Sequence, residues 1–173
     1  MNLEQLASYI RDIPDFPKPG IIFKDITPLL RDPEAMAAAC ELLAEPFRDS
    51  GVTAVAAIES RGFIFGSVVA QHLGAGFVPI RKPNKLPYTR RRHEYVLEYG
   101  SDALEIHDDA LTADDRVLVV DDLLATGGTV GAATHLIRGF DATLVGIATV
   151  IELEFLGGRQ KLDGVTVHSI LRY

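Results

Sequence analysis

Apolar, β-branched runs recur along the chain, and each is followed by a turn. Residues 52–58 (VTAVAAI) lead into Glu59-Ser60-Arg61-Gly62, after which a helical pattern covers residues 63–73 and stops at Gly74. Residues 116–120 (RVLVV) lead into Asp121-Asp122-Leu123-Leu124-Ala125-Thr126-Gly127-Gly128-Thr129, and a second helical stretch continues to about Gly139. Residues 143–153 form a third run and residues 165–171 a fourth. Short strands that alternate with helices of this length predict βαβ units and a mostly parallel sheet. The runs are continuously apolar rather than alternating, as expected where helices cover both faces of the sheet. The expected fold class is therefore α/β, a mostly parallel sheet flanked by helices.

The front of the chain breaks this rhythm. Asp15-Phe16-Pro17-Lys18-Pro19-Gly20 is turn chemistry, with two prolines and a glycine in six residues. Residues 21–25 are a short extended segment, and Asp32-Pro33 opens a helix with an N-cap aspartate and a proline at the first helical position. Residues 1–34 are too few for a domain and are expected to pack over the sheet's edge as a hood. Residues 82–99 are polar and cationic, with Pro83 and Pro87, and read as a long mobile loop or hairpin. Without repeats or linkers, residues 1–173 read as one domain.

Composition narrows the function. The chain has 173 residues, 47% of them apolar and 24% charged, ordinary values for a globular domain of this length. Its one cysteine, Cys40, has no internal partner and falls at helical spacing with Met36, Leu43, Ala44 and Phe47, so it reads as a core residue rather than a reactive thiol. No basic stretch followed by an apolar run opens the chain, and no apolar segment approaches the ~18 residues that span a membrane. A cytoplasmic protein without membrane contact is expected. A net charge of −7 argues against general nucleic-acid affinity. His72, His93, His107, His135 and His168 are scattered, with no i,i+4 pair and no adjacent cysteine, so a zinc site is not expected. The acidic residues around Leu111-Thr112 read as a solvated turn.

Residues 117–129 (VLVVDDLLATGGT) carry the most chemistry. A buried strand delivers two carboxylates to its end, where they are expected to face solvent. Thr126-Gly127-Gly128-Thr129 then begins a helix. Consecutive small residues let backbone N–H groups converge on an anion, and the helix N-terminus adds its dipole. Phosphate on Ala125, Thr126, Gly127, Gly128 and Thr129, with Asp121 and Asp122 accepting from vicinal hydroxyls, describes a ribose 5-phosphate site. A larger side chain at Gly127 is expected to fill the phosphate's space and to resist a positive φ. Neither G-x-x-x-x-G-K-[ST] nor G-x-G-x-x-G occurs, so the lysine-bearing P-loop and the dinucleotide fingerprint are excluded.

This string resembles the phosphoribosyl pyrophosphate motif of the type I phosphoribosyltransferases, and its DDLLATGGT form looks like that of the adenine-specific branch. The resemblance covers most of the chain. Residues 15–28 resemble that branch's N-terminal hood, Glu59-Ser60-Arg61-Gly62-Phe63 its pyrophosphate loop, and the segments Arg81-Lys82 through Lys85-Leu86-Pro87 and Tyr95-Val96-Leu97-Glu98-Tyr99-Gly100 the two flanks of its catalytic loop.

The resemblance implies transfer of phosphoribosyl from phosphoribosyl pyrophosphate to adenine, giving AMP and pyrophosphate. It implies that Ile22, Phe23 and Lys24 frame adenine, and that Glu59 and Ser60, joined by a cis peptide, expose backbone N–H to pyrophosphate. Arg61, Arg81 and Lys85 would add positive charge there, with Arg61 and Glu98 the catalytic candidates and Glu98 the proton-handling group. A homodimer is implied in the same way. The tip of the loop departs from the family: Arg90-Arg91-Arg92 reads as solvated, with attraction of an anionic substrate or a partner subunit as the alternative.

The residue inventory fits this reaction independently. Displacing pyrophosphate from ribose C1 needs charge neutralisation, by cations and by Mg²⁺ carried on the substrate, but no protein nucleophile. Water competes for the cationic sugar, which gives a closing lid at residues 82–98 a purpose. Hypoxanthine, guanine, xanthine or orotate would be the rival bases. A regulator that binds nucleic acid and senses phosphoribosyl pyrophosphate without turning it over is the rival class, and the chain lacks the extra domain or broad basic face it would need.

Overall fold

In a computed structural model, every residue except Glu98, Tyr99 and Asp163 is described, together with the backbone but not the side chains of Val96, Leu97 and Gly100. The chain divides into two compact units, Met1–Leu42 and Leu43–Tyr173.

The first unit holds α1 (Leu3–Ala7), β1 (Arg11–Pro14), β2 (Ile22–Asp25), α2 (Thr27–Arg31) and most of α3 (Pro33–Ala44). Asn2 and Gln5 form a reciprocal capping box at α1. β1 and β2 are antiparallel neighbours, with Asp12 opposite Lys24. The turn between them contains a cis Phe16–Pro17 bond and is closed by the Gly20 amide donating to the Asp15 carboxylate at 2.7 Å. Asp32 caps α3 as expected, accepting from the Glu34 and Ala35 amides at 3.0 and 2.9 Å. Cys40 is fully buried, and burial pushes its thiol up to about 11, out of the reactive range.

The second unit is the α/β body: β3 (Ala54–Ile58), α4 (Arg61–Leu73), β4 (Gly76–Ile80), β5 (Arg90–Leu97), β6 (Gly100–His107), β7 (Arg116–Leu124), α5 (Gly128–Arg138), β8 (Thr143–Glu152) and β9 (Val167–Arg172), with short 3₁₀ turns at Glu45–Phe47, Glu154–Leu156 and Gly158–Lys161. Among the described residues the main sheet has five strands in the order β4-β3-β7-β8-β9, all parallel. Alternation along the strands assigns the faces. Ala56 and Val119 share a buried core with Val130, Ala133 and Ile137 of α5, whereas Ala57 and Val120 face Gly66 of α4. A Cβ at Gly66 would lie 2.5 Å from the Ala57 Cβ, so α4 sits closer to β3 than a side chain permits. Helices thus cover both faces.

Two features differ from the sequence expectation. β4 is an additional strand at the sheet's edge, where Pro79 forfeits no ladder bond that the fold needs. Arg90, Arg91 and Arg92 are exposed as expected but do not lie in a loop: they open β5, which pairs with β6 in register from Arg90↔His107 to Leu97↔Gly100, the hairpin of the two forms expected for this segment. This hairpin docks on α5. His93 stacks on His135 with ring centroids 3.8 Å apart, and Arg91 lies 3.7 Å over the Phe140 ring while donating to the Gly139 carbonyl. Arg90 lies 3.0 Å from the buried carboxylate of Glu105.

Candidate active site

β7 runs past residue 120 as a single strand, pairing Asp121 with Thr149, Leu123 with Ile151 and Leu124 with Glu152 of β8. The two aspartates therefore belong to the strand, and they are buried, Asp121 8% and Asp122 5% exposed, not solvent-facing as their position before a turn suggested. Burial raises the Asp121 carboxyl well above the ordinary aspartate range, and the neighbouring Asp122 charge adds to this. Burial also raises Asp122, against the pull of the Arg61 guanidinium, whose Nε lies 3.0 Å from Asp122 Oδ2.

Beyond β7, Ala125 and Thr126 lead to Gly127, which takes φ +79° and caps α5. The first N–H groups of an eleven-residue helix are thus presented at this point, beside the hydroxyls of Thr126 and Thr129. The positive φ of Gly127 agrees with expectation, but the steric reason for glycine differs. A Cβ there would point away from the open side and lie 2.5 Å from the Gly158 carbonyl oxygen.

From the neighbouring strand, β3 delivers Glu59 and Ser60, joined by a cis peptide, and α4 begins at Arg61. Gly62 follows because nothing larger fits: a Cβ would lie 2.9 Å from the Val120 carbonyl oxygen and 3.0 Å from Asp121 Oδ1. The two loops enclose a cleft of about 230 Å³ at the carboxyl ends of β3 and β7, where ligands bind in open α/β sheets. Glu59, Ser60, Arg61, Asp121, Asp122, Ala125, Thr126, Gly127, Gly128 and Thr129 all line it. Residues distant in sequence are thereby brought to one site.

Other expected residues lie elsewhere. Arg81 does not line the cleft among the described residues. It pairs with Glu59 at 3.2 Å and donates to the Lys85 carbonyl. The Lys85 side chain is exposed. Burial opposes the charge on Glu59, yet hydrogen bonds from the Lys82 amide and Arg81 outweigh it and hold the carboxyl below its ordinary range. In the first unit, Ile22 is exposed, Phe23 meets Phe16 edge-on at 5.2 Å, and Lys24 lies 2.7 Å from Asp12. Glu98 lies outside the described residues.

Lys82 was not among the expected site residues and lines the cleft. Its ammonium is held by Asp102 and donates to the Tyr95 hydroxyl at 3.1 Å, and Thr129 donates to the same hydroxyl at 3.3 Å. This network connects the hairpin to the start of α5. Its sequence signal, one lysine among several in a cationic segment, does not separate it from Lys85.

The sequence matches the phosphoribosyl transferase domain over residues 26–163. An adenine phosphoribosyltransferase of Nitrosococcus oceani is 55% identical over 171 residues, which span 99% of this chain and all of the relative. A crystal structure of adenine phosphoribosyltransferase from Thermoanaerobacter pseudethanolicus superposes with a TM-score of 0.96 at 49% identity, covering 99% of this chain and 100% of that one. The chain belongs to the adenine phosphoribosyltransferases. The Saccharomyces cerevisiae member, 39% identical with a TM-score of 0.92 and 98% of each chain covered, was crystallised with an imino-altritol bisphosphate and adenine. The five-stranded parallel sheet with helices on both faces is the fold that these structures share with the chain.

Proposed function

We propose that the protein transfers the 5-phosphoribosyl group of phosphoribosyl pyrophosphate to adenine, giving AMP and pyrophosphate, a purine-salvage reaction. The observation that carries this is the convergence of the two loops. An anion cradle at Ala125–Thr126–Gly127–Gly128–Thr129, paired carboxylates at Asp121 and Asp122, and the Glu59–Ser60 peptide beside Arg61 line one cleft. A ribose bearing phosphate at one end and pyrophosphate at the other has the functional groups to meet all three.

In this reading the adenine nitrogen attacks ribose C1 as the C1–O bond to pyrophosphate breaks. The electron pair leaves with pyrophosphate, and the nitrogen's proton passes to a nearby base, for which Glu98 is the candidate. Asp121 and Asp122 accept from the 2- and 3-hydroxyls, while Arg61 stabilises charge that grows on the leaving group. Lys85 supplies a further cation, as do Arg81 and Lys82 once their partners Glu59 and Asp102 are exchanged for pyrophosphate. Ile22, Phe23 and Lys24 are proposed to hold the base, with residues 1–34 as its hood.

Among the described residues no three His, Cys, Asp or Glu side chains converge as a metal cage. Mg²⁺ is proposed to arrive on the pyrophosphate oxygens, and the hard carboxylate oxygens of Asp121 and Asp122 suit the ion's water shell. When bound it would neutralise the leaving group. Cytoplasmic action and a homodimer belong to the same proposal, the first supported by the single buried cysteine and the second by family resemblance. Among the described residues no helix is long and apolar enough to cross a membrane.

The test is incubation of the purified protein with Mg²⁺, phosphoribosyl pyrophosphate and adenine. Release of pyrophosphate with stoichiometric AMP, identified by mass, supports the reading. Pyrophosphate release without AMP, or none, contradicts it.

A further inference from the structure

An ion pair between a half-exposed arginine and a buried glutamate lies behind the anion cradle, outside the cleft. Glu152, at the end of β8 and 3% exposed, sits opposite Leu124 in the β7–β8 register. Arg159 grips it with two nitrogens, Nε to Oε1 at 2.8 Å and Nη2 to Oε2 at 2.5 Å, and donates its third to the Val167 carbonyl at 2.7 Å. The hydrogen bonds from Arg159 hold the Glu152 carboxyl below its ordinary range. All three guanidinium nitrogens are therefore committed to fixing one short segment, the 3₁₀ turn Gly158–Lys161, to the ends of β8 and β9.

That segment touches the cradle by backbone alone. A Cβ at Gly158 would lie 2.1 Å from the Ala125 carbonyl oxygen and 2.8 Å from the Gly127 nitrogen, and one at Gly127 would lie 2.5 Å from the Gly158 oxygen. Gly157, in the left-handed region at φ +65°, turns the chain into this contact. The floor of the cradle is thus a second backbone segment, one that Arg159 ties to Glu152 of β8 and Val167 of β9.

We propose that Arg159, acting through Glu152, is a positioning residue for phosphoribosyl binding: it keeps Gly158 pressed beneath residues 125–127 so that the cradle's N–H groups stay aimed at the 5-phosphate. The proposal rests on the reading of residues 125–129 as the 5-phosphate site. Donors held by a rigid neighbour bind an anion without first being ordered, and a misplacement of about 1 Å can cost up to about a hundredfold.

The test measures steady-state constants, ribose 5-phosphate affinity and melting temperature for the full-length protein and its variants. Arg159→Gln should raise KM for phosphoribosyl pyrophosphate and weaken ribose 5-phosphate by about tenfold, with KM for adenine changed by less than about twofold. Arg159→Lys, which keeps the charge but loses the two-pronged grip, should fall between. Glu152→Gln should shift the same constants, and the double variant Glu152→Gln/Arg159→Gln should be no worse than the poorer single one, as expected of groups acting as a unit. A lower melting temperature with unchanged ribose 5-phosphate affinity, or equal losses for both substrates, would overturn the proposal. Thr126→Val separates the two layers. If it leaves ribose 5-phosphate binding intact, the 5-phosphate reading fails. If it weakens binding while Arg159→Gln does not, the positioning role alone fails.

Discussion

Arg61, at the first turn of α4, holds Asp122 of β7 across 3.0 Å, so a half-exposed cation faces a buried carboxylate at the mouth of the cleft. Asp121, the adjacent residue, forms no ion pair of that kind among the described residues: the Asp122 amide donates to it at 2.9 Å, and the Arg61 charge offsets only part of the cost of its burial. One carboxylate is thus paired with a cation at the start of α4, while the other is buried at a cost to the empty fold.

That asymmetry has a consequence for stability. Burial raises the Asp121 carboxyl above its unfolded value. The raised group contributes stability that is fully present below the unfolded pKa and lost as pH rises through the folded one. Asp121→Asn should therefore raise the melting temperature of the empty protein by a few degrees near pH 7, with the gain fading toward about pH 4. The same variant should lose turnover, because the amide replaces an acceptor proposed for the ribose hydroxyls. Thermal unfolding across pH checks this; a lower melting temperature at neutral pH would contradict it.

Gly127→Ala should disturb the cradle through its back. The substitution combines a positive φ, costing about 1 kcal/mol, with a backbone overlap at Gly158 that costs roughly 1–3 kcal/mol. A lower melting temperature together with weaker ribose 5-phosphate binding is expected by calorimetry. Normal binding would locate the anion site elsewhere.

The hairpin gives a third test. Glu105 is 1% exposed, faces Arg90 at 3.0 Å and accepts from the Asn84 amide at 3.0 Å, so it fastens β5 and the turn carrying Lys85 to β6. Lys82 precedes Pro83 and is not a trypsin site, and Arg90, Arg91 and Arg92 are laddered to β6 rather than looped. Glu105→Gln should make local opening easier by roughly 1 kcal/mol and speed cleavage after these arginines at least about fivefold. Limited trypsin digestion read by mass measures it, and equal rates would show that Glu105 does not hold the hairpin.

The sheet's central strands were legible because β3, β7 and β8 are covered by helices and must be apolar throughout. Asp121, Asp122 and Gly127 were legible as chemistry because strand, carboxylates and small residues occur in one string. Their burial was not, since pairing of Leu123 and Leu124 with β8 carries the strand beyond the charges, and that is decided by a neighbour distant in sequence. β4 was hidden by Pro79, which reads as a strand breaker unless the strand is known to lie at an edge. β5 was legible only as one of two options, loop or hairpin, because the partners that settle Arg90 and Arg91, Glu105 and Phe140, come from other elements. The contact between Gly127 and Gly158 left only a Gly157-Gly158 pair as its trace.

The most direct test of the proposed reaction is kcat/KM for a panel of bases with phosphoribosyl pyrophosphate and Mg²⁺, followed by pyrophosphate release. Backbone groups that fit the edge of a 6-aminopurine meet the opposite pattern in a 6-oxopurine, and each unpaired group costs roughly 1–3 kcal/mol. Two such mismatches give adenine a preference of at least about a hundredfold over hypoxanthine and guanine. That ratio is the expected result; comparable turnover of hypoxanthine would contradict it.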